Sequence, residues 1–482
     1  MGIYRSTDPT TFDDVDGIVI NESAPAPNVA GVAANIAILV AQTERGPTDL
    51  TEIGSIGEFH EQFGKNDAYG ANLSLKRKKF GRLKLIRVVA SDAVVASKAF
   101  QSSSVDRITF TAKQGKGAYG NSIQVKIENG SSVGKKYTIK DSSAGSVLPQ
   151  EVYDNIEITA IVASTFAASK LVTAVVNSSA AEPTNAAFTA LASGSDGTVA
   201  NGDYEDAIEK AEIEAAGNFI FLDSYNDTRN GYLEAHVAAT QDKIAILAGL
   251  EADTVSDAIT DVADFRDADG RMIYGFPWVQ TEINGVLTYT NPASWIASIL
   301  SQTAPNVDPS FSGNTQFLTG ITGLKLALTR ANYIALKDAG ICAFEYDADI
   351  GFKVKSGIVT QIANSSKVTI LRRRMADYLT NSVARFLKNY QGAVNSAENR
   401  KLVKGAIQSF VTVQQNNGIL PKDSELTDGA KASLIDTESL NTNTTIAAGM
   451  FKILWRQRIY SSMRYIVLQA EIGESVVVTE AA

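Results

Sequence analysis

The chain has 482 residues, 44% hydrophobic and 20% charged, which is a globular composition on a length too great for one ordinary core. Its net charge of −9 argues against a non-specific nucleic-acid binder, which needs basic surface to displace counterions. One cysteine, Cys342, excludes an internal disulfide, and no apolar run approaches the ~18 residues of a membrane span, so no direct membrane insertion is expected.

The start, MGIYRSTDPTTFDD, lacks the basic region and apolar core of a signal peptide, and a cytoplasmic site of synthesis is expected. Residues 1–27 show little period apart from Gly17, Ile18, Val19 and Ile20, and end in the extended SAPAPN; they read as an N-terminal arm. IAILV (36–40) predicts a buried strand and TERGP a turn. SIGEFHEQFG (55–64) predicts a helix with a Ser55/Glu58 capping box, a Phe59/Phe63 stack and a Gly64 stop. RLKLIRVVA (82–90) predicts another strand.

GKGAYGNS (115–122) spaces Gly115, Gly117 and Gly120 as a dinucleotide-binding loop does. A phosphate loop opens a helix, whose N-terminal amides hold the anion. Here SIQVKIENG alternates Ile123, Val125 and Ile127 with polar residues, which predicts a strand. The glycines therefore read as turning a hairpin from RITFTA (107–112), and no nucleotide or other cofactor is expected. Further short runs, KYTIK and KLVTAVV, predict an all-β, sandwich-like insertion over 104–197 that closes at SGSDG.

Helix–strand alternation then resumes. YEDAIEKAEIEAA precedes NFIFLDS, YLEAHVAATQDK precedes IAILAG, and the acidic EADTVSDAITDVADFRDADGR precedes RMIYGFPWV. Such alternation predicts a mostly parallel sheet, so residues 28–103 and 198–345 form one α/β core domain. The acidic run lacks the ligand ladder of a calcium loop and reads as a solvated helical face. His60 and His236, the only histidines, have no i, i+4 partner or serine elbow, and Cys342 sits in the apolar AGICAFEY as a small buried hydrophobe. No catalytic, cofactor or metal site is expected.

Residues 346–470 predict an α+β C-terminal domain. Two amphipathic helices carry basic faces: Arg373, Arg374, Arg385 and Lys388 on one, Arg400, Lys401 and Lys404 on the other. These faces are either solvated charge or docking surfaces for an acidic partner. FKILWRQRIY and RYIVLQAEI predict strands, the latter with Tyr465, Ile466, Val467 and Leu468 as an acceptor sheet. Residues 471–482 form a C-terminal arm whose Val476, Val477, Val478 and Thr479 have no local mate. Extended strands at both ends suggest strand exchange between copies.

This order of features resembles the contractile tail sheath proteins of bacteriophages and related injection systems over nearly the whole chain. The motifs carrying it are IAILVAQTERGPTDLTEIGSIGEFHEQFG, GKGAYGNSIQVKI, SGSDG, YGFPWVQ and ILRRRMADYLTNSVARFL. Tyr119 stands where the family often has tryptophan, and VKSGIVTQ (354–361) only weakly matches its Trp-Gly-x-Arg-Thr segment. The resemblance implies a non-enzymatic subunit that assembles as hexameric rings into a helical homo-oligomer. Its partners would be an inner tail tube protein, baseplate and tail terminator proteins, and no nucleic acid. It implies an insertion at the outer surface, a C-terminal domain facing the tube, assembly in a bacterial host cytoplasm and residence in a virion tail or tail-like particle. The alternatives are a β-rich adhesin binding through 104–197, and an α/β hydrolase or nucleotide-binding enzyme.

Overall fold

The computed structural model describes residues 2–5, 17–20, 29–113, 115–143, 146–162, 164–213, 218–267, 269–363, 368–426 and 431–463. One compact unit spans Ala33–Asp377; the other comprises the chain from Tyr378 onward with the segment before Ala33.

The larger unit is built on an eight-stranded sheet. Its order is Gly351–Val354, Ile341–Asp347, Met272–Phe276, Ile244–Ala248, Phe219–Leu222, Ile36–Gln42, Arg82–Val88 and Thr51–Ile53. The six inner strands are parallel and the two edges antiparallel. Strands such as IAILVAQ and FIFL are apolar at nearly every position because both sheet faces are covered. From Ile36–Gln42 the chain winds outward to Arg82–Val88, then continues on the other side through Phe219–Leu222, a doubly wound order. The sheet reaches Val354, past the expected limit at 345.

Local signals read from sequence recur here with one shift. Ser55 Oγ accepts from Glu58 N at 3.1 Å, but the Glu58 carboxylate accepts from Gly54 N at 2.9 Å, so the return half of the box closes one residue early. Phe59 and Phe63 stack at 5.8 Å between centroids, and Gly64 ends the helix at φ +86°. The helix Pro292–Gln302 has no counterpart in the sequence expectations. It is buried all round and so lacks a polar stripe; its Ser294 and Ser301 hydroxyls donate to the carbonyls of Asn291 and Ser298.

The β-rich insertion consists of two packed sheets. One runs Glu151–Ile156, Lys135–Asp141, Ile123–Asn129, Ala186–Ala190; the other runs Val172–Val176, Val105–Ala112, Ser97–Ser102. Phe110 of one meets Tyr137 of the other at 5.6 Å, and Phe166 packs edge-on against both. The first strand begins at Ser97, ahead of the boundary expected at 104, and a bridge between Val94 and Ser195 closes the neck. The hairpin expected at Gly115–Gly120 is corrected: Val105–Ala112 and Ile123–Asn129 lie in different sheets, joined through the 3₁₀ turn Ala118–Ser122. Alternation is the same for strands paired in one sheet and strands facing each other across a core, so periodicity cannot separate the two.

In the smaller unit Tyr378, on the helix Ile370–Leu387, meets Phe410 of the helix Ala397–Asn416 at 6.2 Å. Leu379, Val383, Phe386, Val403, Ala406 and Ile407 are buried on these two helices at helical spacing, whereas Leu402 is exposed. Val32 N donates to Ser382 Oγ at 3.1 Å. Ser433–Asp436 pairs antiparallel with Leu454–Gln457, so FKILWRQRIY contributes four strand residues. Gly17, Ile18, Val19 and Ile20 do form a strand, but it is not isolated: it pairs in parallel with Gly2–Arg5. Tyr465, Ile466, Val467 and Leu468, and the arm residues Val476, Val477, Val478 and Thr479, lie outside the described residues.

Candidate functional site

The sequence motifs converge where the insertion leaves the α/β sheet. Arg45, from the TERGP turn after Ile36–Gln42, stacks over the Tyr119 ring at 4.5 Å and approaches Asp141 Oδ2 at 3.4 Å. The Tyr119 hydroxyl donates to the same carboxylate at 2.6 Å. Burial pushes the Asp141 carboxyl up, but hydrogen bonds from Ser146, Tyr119 and Ser143 outweigh it and hold it below its usual range. Burial, reinforced by Asp141, pushes the Tyr119 phenol well up.

The glycine loop is tied beside this group. Ala118 N donates to Asp196 Oδ1 at 2.8 Å, and Tyr69 Oη donates to Asp196 Oδ2 at 2.8 Å. Gly117 sits at φ +137°, and a Cβ there would lie 2.8 Å from Asp196 Oδ1. Arg87 reaches the Lys116 and Gly46 carbonyls at 2.8 and 3.0 Å, and burial lowers its guanidinium to about 10. The loop therefore binds an anion, but that anion is the aspartate of the chain's own SGSDG. It has no helix N-terminus to direct at a pyrophosphate, because the loop opens into a single 3₁₀ turn and a strand.

A doubly wound sheet offers a second place for a ligand, the crevice at the carboxyl ends of the strands where the winding reverses. Here that place, beyond Gln42 and Leu222, is filled by side chains. Asp223 accepts from Gln42 N at 3.1 Å and from Tyr204 Oη at 2.7 Å, and Arg229 stacks on Tyr204 at 3.9 Å. Burial raises Asp223 to about 6. Gly70 passes so close that a Cβ would overlap the Asp223 carboxylate.

The basic faces divide on inspection. Arg374 is buried, donating to the carbonyls of Leu300 and Thr303 at 2.9 and 2.7 Å and to Thr303 Oγ1 at 3.1 Å, and burial lowers it to about 9. Arg373 donates to Asp377 Oδ1 at 2.6 Å, and Arg400 pairs with Glu438 at 3.1 Å. These three are committed inside the fold and leave the docking set, because the helices carrying them are covered on more than their apolar faces. Arg385, Lys388, Lys401 and Lys404 are exposed. His236 is buried with Nε2 unpartnered, Cys342 is fully buried, and no His/Cys/Asp/Glu cluster suited to a metal occurs among the described residues.

Solved structures supply the comparison that these features call for. The sheath tail protein of Desulfitobacterium hafniense superposes with a TM-score of 0.63 at 21% identity, covering 88% of this chain and 94% of its own. The fold is that of the contractile tail sheath proteins. The sheath tail protein of Listeria innocua gives 0.63 at 16% identity over 86% of this chain and 90% of its own. The contracted helical sheath of the anti-feeding prophage gives 0.59 at 14% identity over 95% of this chain and 99% of its own. No family model and no curated protein sequence matches the chain. In this chain Arg45, Tyr119 and Asp196 meet at the neck of the insertion. A further signal lies in charge rather than in motif: residues 65–87 hold eight basic side chains and one acidic.

Proposed function

We propose that the chain is a structural subunit of a contractile tail sheath. It polymerises helically around an inner tail tube, is held in an extended state, and contracts to drive the tube through a bacterial envelope for genome or effector delivery. The observation carrying this reading is the match to a contracted helical sheath over 95% of this chain. The filled switch point and the self-satisfied glycine loop support a protein without substrate chemistry. The free energy of contraction then comes from subunit interfaces better matched in the contracted state.

Linkage through strands suits such a polymer, because main-chain hydrogen bonds hold copies together while globular bodies rotate on flexible connectors. Gly17–Ile20 at one end and Val476–Thr479 at the other are the donors in this scheme, with Tyr465–Leu468 as acceptor. The sheet Ser433–Asp436/Leu454–Gln457 has two strands among the described residues, and an added strand would extend its main-chain ladder. Arg385, Lys388, Lys401 and Lys404 are the cations that remain for docking on an acidic tube. Hexameric rings, baseplate and terminator partners, assembly in the host cytoplasm and residence in a tail or tail-like particle belong to the same reading.

Deleting residues 1–24, or separately 474–482, tests it. Each truncation is expected to give a folded protein that sediments as a monomer. Sheath of normal length from both would contradict the linkage.

A further inference from the structure

Charge is distributed unevenly over the Ala33–Asp377 unit. Residues 201–267 hold sixteen acidic side chains and four basic, against eight basic and one acidic in residues 65–87. The acidic stretch supplies the helices Asn201–Glu209, Asp227–Thr240 and Val255–Asp264, on which Glu205, Asp206, Asp227, Asp257 and Asp264 are exposed. Burial, then the repulsion of Asp253 and Asp227, holds Asp261 above its usual range; burial, then Asp267 and Asp264, does the same to Glu234.

The basic stretch walls a groove of about 1030 Å³ lined by Lys65, Lys76, Arg77, Lys78 and Lys79. The two acids at its rim are used within the fold: Asp67 pairs with Lys76, and Glu44 accepts from the Lys65 and Asn66 amides at 3.1 and 3.3 Å. Lys65 and Lys79 are exposed, and no described acid pairs with either. Lys78 is only 9% exposed, stands over the Trp295 ring at 4.5 Å, and makes long hydrogen bonds of 3.4 and 3.5 Å to the Leu73 and Lys76 carbonyls. Burial lowers the Lys78 ammonium to about 7, and an anion entering the groove favours its charged form.

We propose that in the polymer this groove receives the acidic helical face of a second copy of the chain. The proposal rests on the sheath reading and gives it one interface. A contact between two different patches of the same molecule joins copies head to tail, and such contacts build closed rings or open helices. Complementary charge also orients the incoming subunit and speeds its encounter. Nucleic acid is a poorer occupant, since the chain's net charge of −9 repels a phosphate backbone.

The experiment uses the full chain, in four forms: unaltered, Lys65→Glu with Lys79→Glu, Asp206→Lys with Asp264→Lys, and all four substitutions together. These positions are exposed, so circular dichroism should not change; Lys65→Gln with Lys79→Gln replaces the reversed pair if that pair does not fold. Each double reversal is expected to raise the protein concentration needed for striated tubes by about tenfold or more. The quadruple variant, and an equimolar mixture of the two doubles, should restore assembly because complementary faces meet again. Doubles that assemble like the unaltered chain, or a quadruple variant that stays dispersed, overturn the proposal. A double lysine variant that loses only DNA retention, with assembly intact, assigns the groove to nucleic acid instead. An unaltered chain that never forms tubes refutes the sheath reading itself, a different outcome from tubes insensitive to these charges.

Discussion

The Arg45 guanidinium lies 4.5 Å from the centre of the Tyr119 ring, and both groups reach the carboxylate of Asp141. Arg45 follows a strand of the parallel sheet, while Tyr119 and Asp141 belong to the insertion, so this triad fastens one to the other. Tyr119→Phe removes a hydrogen bond to a charged group and should cost about 1.5–3 kcal/mol. Arg45→Ala should cost more, since it strips a buried carboxylate of its counter-ion. Thermal unfolding reads the loss, and hydrogen exchange should locate it in Ile123–Asn129 rather than in Phe219–Leu222. Uniform exchange in both strands would mean that the triad is not a local fastener.

Gly117→Ala forces a Cβ onto φ +137° and within 2.8 Å of Asp196 Oδ1. The expected cost is about 1–3 kcal/mol of stability, with no change in nucleotide binding, because the loop amide of Ala118 is already taken by Asp196. Titration calorimetry of the unaltered protein with nucleotides should show no heat of binding. Micromolar affinity would overturn the assignment of the loop to Asp196.

The basic helices separate into two experimental classes. Arg374→Glu places a carboxylate among the Leu300 and Thr303 carbonyls and should destabilise the fold by about 3–5 kcal/mol or prevent folding. Arg385→Glu with Lys388→Glu, or Lys401→Glu with Lys404→Glu, should leave circular dichroism intact and abolish assembly on isolated tubes, and the unaltered contact should weaken with salt. Normal tube decoration by both exposed pairs would return these residues to ordinary solvated surface.

His236 gives the stability a pH dependence of known sign. Burial, then Lys243, lowers its pKa from 6.5 to about 4, so between those values the unfolded chain binds a proton that the folded chain refuses. Its contribution to stability is therefore present above pH about 6.5 and lost as pH falls toward about 4. His236→Gln should flatten that part of the stability profile, measured by denaturant unfolding across this range. An unchanged slope would contradict the burial of a neutral imidazole.

Much of the fold was readable wherever a local rule decides the outcome. Phe59, Phe63 and Gly64 fix a helix and its end by spacing alone, and the unbroken apolar runs of the inner strands announce a sheet covered on both faces. Failures came where the deciding partner is distant in sequence. Residues 107–112 and 123–129 alternate identically whether they pair or face each other, and only the packing of Phe110 on Tyr137 distinguishes the cases. Arg374 sits on a polar helical face, yet carbonyls of Leu300 and Thr303 bury it, which a helical wheel does not contain. The role of Asp196 was hidden for the same reason: the loop it holds is remote in sequence, and a carboxylate in a Gly/Ser run looks like any solvated turn.

The central claim is that this chain builds a contractile sheath, and the measurement that meets it most directly is negative-stain imaging of the purified full-length protein, paired with sedimentation. The account predicts striated tubes of uniform diameter that pellet at high speed and are absent from both arm deletions. A protein that stays monomeric across concentration and salt, in the presence and absence of tail tubes, would contradict it.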